Sequence, residues 1–568
     1  MDASLNLVES VADVERFMTW LGERRTWMAV DTETGGFDWW RDPLRLVQIG
    51  DPNTGWAFAW EDWAGVIKEV LQNYRGATAY HNAKFDVHFL ETNGVKLDRT
   101  VIHDTRAMAH ILEPGLPSGL KAVGTRSIDP AAALGDRELK SVMMKNKWDW
   151  GTIPTSVPQY WQYACLDVIL TSRIAEKFYP LIHNSYKELY EVEVWNALTL
   201  VDMERRGIRV DLSFCHDNVG KISEYEVAME QWFLDTYGLK NPRSTAQIAQ
   251  VFLDAGINLI ATTKSGMWQM DEAAISHIDH PMAREILDYR GQIKIRSTYL
   301  DDFISFADGD VLHASTNPLG ARTGRMSISR PNLQNVPRSW VRGAFIPRPG
   351  NKLVLVDFDQ IELRLLAHYA KEPSLIKAVL AGDDLHSYVG RMVYNQAEIS
   401  RAQRQVVKHA NFAKIYGAGV PKFAATAGIS VPDAHDFNEK YNNAFPAIGR
   451  WVNKITGVGN SQGKSIVTPH LGRRQVVGDG EGGYKLVNYY IQGTAADVLK
   501  QKIVELSMTP SEQFMLFPIH DEIAFDVPEE HVEDVRHEVS EVMQDLTSFD
   551  VPLTVGSEVV DNWGEKYV

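Results

Sequence analysis

Two groups of carboxylates stand out among the residues able to do chemistry. Asp31 and Glu33 lie in TWMAVDTET, at the end of an apolar run of strand type. Side chains alternate faces along a strand, so these two acids point the same way. Neighbouring carboxylates repel unless a cation lies between them, and hard oxygen ligands favour Mg²⁺ or Mn²⁺. Further on, His81-Asn82-Ala83-Lys84-Phe85-Asp86 opens a helix with an acid in its first turn. In YWQYACLDVILTSRIA, Tyr163 and Asp167 stand four apart and share a helical face. Each piece alone also reads as something ordinary: a solvated strand face, a helix-terminal charge, amphipathic packing.

The second group begins at Leu353-Val354-Leu355-Val356, a run of buried-strand type that ends in Asp357-Phe358-Asp359. MLFPIHDEIAFDV, residues 515–527, reads as two strands joined near His520-Asp521-Glu522. Periodicity leaves open whether those turn acids meet Asp357. Between the two segments, Arg404, Lys408, Phe412 and Tyr416 recur every four residues. Such a series drifts only ~40° per step around a helix and so forms one stripe. An ordinary amphipathic helix would put aliphatic residues there. Two cations, an aromatic ring and a tyrosine suit a triphosphate and a base instead.

The elements that must position these groups belong to a chain of 568 residues. At ~100–200 residues per domain, three to five domains are expected. Hydrophobic residues make up 44% and charged residues 23%, which excludes a largely disordered chain. With no run of 18 apolar residues, no membrane span is expected. The start carries no secretory pattern. Cys165 and Cys215 are too few for disulfide staples or a cysteine-rich zinc site, so the reading is a reduced, cytoplasmic protein. A net charge of −16 argues against a nucleic-acid partner, yet 321–348 holds six arginines and no acid, and 399–432 holds five basic residues and no acid. Local basic tracts of this kind suit a polyanion held in a cleft. Residues 1–179 read as α/β, 185–206 as one long helix stopped by Gly207, 208–306 as mostly helical, and the remainder as mixed. Gly463-Lys464-Ser465 only mimics a phosphate loop, because its first glycine is replaced by Val458 and its continuation is strand-like.

In order and spacing, D-x-E at 31–33, N-x-x-x-D at 82–86 and Y-x-x-x-D at 163–167 resemble the tyrosine-bearing DEDD exonucleases. DFDQIELR (357–364), RQVVKHANFAKIYG (404–417) and HDE (520–522) resemble the three motifs of family A DNA polymerases. TGRMSISRPNLQNVP (323–337), QGTAADVLK (492–500), MERRGIRVD (203–211) and LDYRGQIKIRSTY (287–299) extend that likeness over almost the whole chain. The resemblance implies a multidomain α/β and α+β protein. A ribonuclease H-like 3′–5′ exonuclease domain would span 1–185 and a right-hand polymerase domain 186–568. Within the latter, the thumb would be about 208–308, the palm 309–365 with 466–568, and the fingers 366–465.

The resemblance also implies roles. Asp31, Glu33, Asp86 and Asp167 would hold two Mg²⁺ ions for hydrolysis of a 3′-terminal phosphodiester, with Mn²⁺ able to substitute. Tyr163 would orient the attacking water, and Asn82 would seat the single-stranded end. Asp357, Asp521 and the Phe358 carbonyl would hold the polymerase Mg²⁺ pair. Arg404, Lys408 and His386 would grip the incoming dNTP, and Lys408 would also serve as a proton donor. Phe412, Tyr416, Gln360 and Glu362 would complete that subsite, Glu362 by crowding the sugar 2′ position. Arg325, Asn332, Gln334, Asn335, Asn488, Gln492 and His520 would contact primer–template DNA. Helicase, primase and single-strand-binding protein would be replisome partners of a monomeric enzyme, with no membrane partner. No 5′ nuclease domain is expected, nor a thumb insertion for a processivity factor, which suits a phage replicative polymerase. Asp359 and Tyr484 depart from the family pattern. A single-subunit RNA polymerase would conflict with Glu362. A catalytically dead DNA-binding subunit would leave two repelling acid clusters without purpose.

Overall fold

The computed structural model describes residues 3–567 except 24, 260, 261, 264 and 462. Apolar runs near the N-terminus form a six-stranded mixed sheet. Its spatial order is Ser4–Val8, Thr54–Ala59, Leu44–Gly50, Met28–Thr34, Thr78–Tyr80 and Ile102–Asp104. The 28-residue helix Pro158–Ser185 lies across five of these strands. Two glycines permit its close approach: a Cβ on Gly55 would fall 2.7 Å from the Cys165 carbonyl oxygen, and one on Gly50 would fall 2.7 Å from Val168 Cγ2. That seating carries Asp167 down to the sheet.

The helix Lys187–Arg206 runs from this unit into the rest of the chain and ends at Gly207, whose φ of +58° suits glycine. Two buried charge networks fasten it. Glu204 accepts from Lys84 Nζ at 2.7 and 2.8 Å, from His88 Nε2 at 2.8 Å and from the Thr316 N–H at 2.5 Å. Burial pulls the His88 imidazole down to about 4, so it meets Glu204 as a neutral donor. Glu193 binds Lys500 Nζ at 2.8 Å and also Arg473, whose Nε donates to Asp497 at 2.7 Å. All four charges of this second set are buried. Charges removed from water persist only when paired this closely.

Beyond Gly207 a helical arm, which includes Leu212–Tyr237 and Pro281–Ile295, packs on a four-stranded antiparallel sheet. The sheet order is Met515–Ile519, Glu522–Pro528, Asn351–Phe358 and Val555–Val560. Alternation divides Asn351–Phe358 between two cores. Leu353 and Leu355 face the helical arm, whereas Val354, Val356 and Phe358 face the helices between Ile361 and Phe445 and the long helix Lys485–Leu506. Asp357 shares the parity of Leu353 and Leu355 and ends that row. Gly457 and Gly459 lie inside the helix Pro446–Asn460, so no phosphate loop forms there. Among the described residues no helix is long and apolar enough to cross a membrane.

Candidate active sites

The N-terminal site forms where the strand Met28–Thr34 meets two helices. One carboxylate oxygen from each of Asp31, Glu33 and Asp167 lies within 4.8 Å of the others, a grouping able to hold a metal ion. Asp86, in the first turn of Ala83–Thr92, sits beside them and accepts from Thr32 Oγ1 at 2.8 Å. Burial pushes the Asp31 carboxyl up to about 7. Burial, and then the charge of Asp31, hold Glu33 and Asp86 well above the carboxylate range. Four acids crowded in low dielectric need positive charge, and this donor set fits hard divalent ions. Tyr163 stands one turn before Asp167; burial, then Glu33 and Asp31, push its phenol up.

Sequence reasoning missed the cation already there. Lys121, in the helix Leu120–Ser127, pairs with Asp167 and puts its Nζ 4.2 Å from the centre of the Tyr163 ring. Burial pulls its ammonium down to about 8 against the opposing charges of Asp31 and Glu33. A lone lysine has no periodic signature that would have marked it. Asn82 has a φ of +77° and accepts from Arg106 Nη1 at 2.7 Å. It lines a cleft of about 290 Å³ with Phe37, Phe85, Arg106 and Arg330. Arg330 comes from the chain beyond Gly207, pairing with Asp38 at 2.6 Å and lying 5.6 Å from the Phe37 ring centre.

The second site opens as a cleft of about 690 Å³. Strand pairing sets Asp357 opposite Glu522, and the Phe358 N–H donates to the Asp521 carbonyl at 3.2 Å. The turn acids therefore do meet Asp357, with His520 at φ +58° making the reversal. Burial, then the charges of Asp521 and Glu522, push the Asp357 carboxyl up to about 7; burial pushes Asp521 up to about 6. Asp357 Oδ1 is buried with no hydrogen-bond partner among the described residues, an acceptor suited to a cation.

The helix Arg401–Ile415 presents Arg404, Lys408 and Phe412 to this cleft. Tyr416 lies just past the helix end, its ring stacked on Phe412 at 5.8 Å, so the stripe survives although its last member is not helical. Arg404 donates through Nε and Nη2 to Asp384 at 3.1 and 2.9 Å. Asp384 also accepts from Gln360 Nε2 and the Ser387 N–H, each at 2.8 Å. It is a positioning acid that the sequence pattern did not mark. His386 lines the cleft, is pulled down to about 4 by burial and meets Asn411 Nδ2 at 3.0 Å. Glu362 pairs with Arg325 and accepts from the Tyr416 hydroxyl at 3.3 Å.

Gln334, Arg325 and His520 line the cleft as well. Gln492 bonds to Tyr416, and Asn488 lies one turn earlier on the same helix with a buried, unpartnered Oδ1 among the described residues. Asn332 instead caps the short turn Leu333–Asn335, and neither it nor Asn335 lines the cleft. Asp359 turns to Thr554 Oγ1 at 2.6 Å and to Arg364 at 3.9 Å. Tyr484 is half-exposed against Gly417. The arginine-rich tract is less free than its composition suggests: Arg322, Arg325, Arg330 and Arg348 pair with Glu481, Glu362, Asp38 and Asp526.

A carboxylate-lined α/β unit is thus joined to a second acid-lined cleft to which a helix presents Arg404 and Lys408. Comparison with known proteins identifies both parts. Residues 218–565 match the model for DNA polymerase family A, and residues 7–183 match that for a 3′–5′ exonuclease. The chain belongs to DNA polymerase family A. It is 28% identical to the DNA polymerase of Mycobacterium phage L5, over 99% of this chain and 97% of that one. DNA polymerase I of Chloroflexus aurantiacus is 31% identical over 85% of this chain and 54% of the relative, so the chain spans about half its length. Among solved structures, the polymerase domain of Pol1 from M. smegmatis, in complex with DNA primer–template and dNTP, has the same fold. Its TM-score is 0.81 at 22% identity, over 98% of this chain and 99% of that one.

Proposed function

We propose that the enzyme copies primer–template DNA at the 357/521 site and trims a mismatched primer 3′ end at the 31/33/86/167 site, with Mg²⁺ at each. The observation that carries this reading is the joint lining of one cleft by Asp357, Asp521, Arg404, Lys408, Phe412 and Tyr416. Divalent ions held by Asp357, Asp521 and the Phe358 carbonyl would activate the primer hydroxyl and stabilise charge on the transferring phosphoryl group. Arg404, bonded to Asp384, and Lys408 would supply positive charge to the triphosphate, and Lys408 would return a proton to pyrophosphate. His386, pulled down by burial and bonded to Asn411 through Nδ1, would offer its Nε2–H to the same triphosphate. Phe412 offers a stacking face to the base, and Glu362, braced by Tyr416, crowds a ribose 2′-hydroxyl. In the exonuclease unit Tyr163 orients water, while Asn82, Phe37 and Phe85 seat the unpaired end.

On this reading the exonuclease domain is 1–185, the helical arm at 208–308 is a thumb, 366–465 forms fingers, and 309–365 with 466–568 forms the palm. End-to-end similarity to a phage polymerase supports a role in phage replication beside a helicase, a primase and a single-strand-binding protein. Single-nucleotide incorporation tests the central claim. Arg404→Ala and Lys408→Ala should raise the KM for dNTP or lower kcat at least ~100-fold while sparing primer degradation. Unchanged incorporation in both variants would contradict the reading.

A further inference from the structure

The last residues of the chain deliver a cation to the polymerase acids. Trp563 anchors them: it is fully buried, edge-on to Phe345 and Phe517 at 5.4 and 5.7 Å, with the Arg342 guanidinium 3.9 Å from its ring centre. Its backbone N–H donates to the Phe345 carbonyl at 3.0 Å. Gly564 is docked so tightly that a Cβ there would lie 2.7 Å from the Gly343 nitrogen. The following turn, Glu565–Tyr567, aims Lys566 at the sheet. Its Nζ stands 2.5 Å from Glu522, 3.7 Å from Asp357 and 3.9 Å from Glu558. These acids come from three adjacent strands and share one face, since Glu522 pairs with Asp357 and Glu558 with Leu355. The Lys566 side chain is only 14% exposed, so water screens these contacts weakly.

A divalent ion at Asp357 and Asp521 must keep coordination positions for the primer and the triphosphate. A third carboxylate at full charge, directly across from Asp357, would compete for those positions and bind the ion too tightly. We propose that Lys566 is a positioning residue of the polymerase site, one that neutralises Glu522, holds it off the ions and sets their affinity. This rests on the reading that Asp357 and Asp521 hold divalent ions.

The test uses the full chain with the exonuclease acids removed (Asp31→Ala with Glu33→Ala), so that the polymerase site dominates Mn²⁺ binding. Free Mn²⁺ is followed by paramagnetic resonance, and thermal unfolding is followed in EDTA and in Mn²⁺. Removing one positive charge at this range should tighten Mn²⁺ about five- to tenfold in Lys566→Met. The Mn²⁺-induced rise in unfolding temperature should also exceed that of the parent, and Lys566→Arg should match the parent. Glu522→Gln, which leaves the ammonium unanswered, should weaken Mn²⁺ several-fold, an independent reading should Lys566→Met fold poorly. A merely structural tail would lower the unfolding temperature equally with and without Mn²⁺. Unchanged or weaker Mn²⁺ binding in Lys566→Met, or unchanged binding in Glu522→Gln, overturns the proposal. Absence of any Mn²⁺ binding that Asp357→Ala removes would instead overturn the two-aspartate reading, and this inference with it.

Discussion

The two acid sites of this polymerase solve one electrostatic problem with different materials. In the exonuclease unit, acids from one strand and two helices close around each other, and Lys121 sits inside the group on Asp167. In the polymerase unit, Asp357 stands near the end of a strand and Asp521 in the turn that leads into the neighbouring strand, and both line an open cleft. Their lysine stands behind them on Glu522, while Arg404 and Lys408 line the cleft. The difference follows from what each site must receive. A nuclease admits a nucleic-acid end and water, and on the proposed reading ions held by Asp31, Glu33 and Asp167 would take over the charge balance that Lys121 supplies to Asp167 here. A polymerase admits a triphosphate as well, so cations outside the acid pair answer the substrate's charge.

Separating the sites is the sharpest way to break this comparison. Asp357→Ala should cost extension on the order of a thousandfold or more and spare degradation, and Asp31→Ala should do the reverse. Both losses should exceed the ~10–100-fold typical of outer-shell partners. One variant that removes both activities while remaining folded would show that the sites are not independent. A smaller effect belongs to Glu362→Ala, which should admit ribonucleotides ~10–100-fold more readily. Competition between rNTP and dNTP on one template measures it, and unchanged selectivity would exclude Glu362 as the barrier.

Protons should compete with metal at both sites. The folded protein raises Asp31 and Asp357 to about 7 and Asp521 to about 6, from an ordinary value of 3.8. The metal-free folded chain therefore holds protons that the unfolded chain releases, and its stability falls as pH rises from about 4 through 7. In EDTA the unfolding temperature should drop by a few degrees between pH 5 and pH 8. Mg²⁺ should restore more at pH 8 than at pH 5; equal restoration would contradict the burial of these acids. The smallest change expected is in Glu204→Gln, which weakens the tie between Lys84 and the polymerase unit. It should cost ~1–3 kcal/mol of stability and slow degradation more than extension. Equal slowing of both would deny that this network serves the exonuclease helix.

Local patterns were legible where chemistry and periodicity coincide. Asp31 with Glu33 follows from strand alternation, and Tyr163 with Asp167 from one helical turn. The meeting of Asp357 with Asp521 depends on pairing between strands far apart in the chain, which no local period encodes; family resemblance, not spacing, pointed to it. Lys121, Lys566 and Asp384 carried no signal, because a single charged residue looks the same whether it is solvated or buried against a partner. The arginine tract shows the same limit from the other side. Its charge is real, yet acids from distant segments answer at least four of its members.

The most direct measurement follows a 5′-labelled primer on a longer template with Mg²⁺, with and without the four dNTPs. Two working sites predict a longer primer with dNTPs and a shorter one without them. Shortening in both lanes, or no change in either, would contradict the assignment of polymerisation to the Asp357–Asp521 cleft.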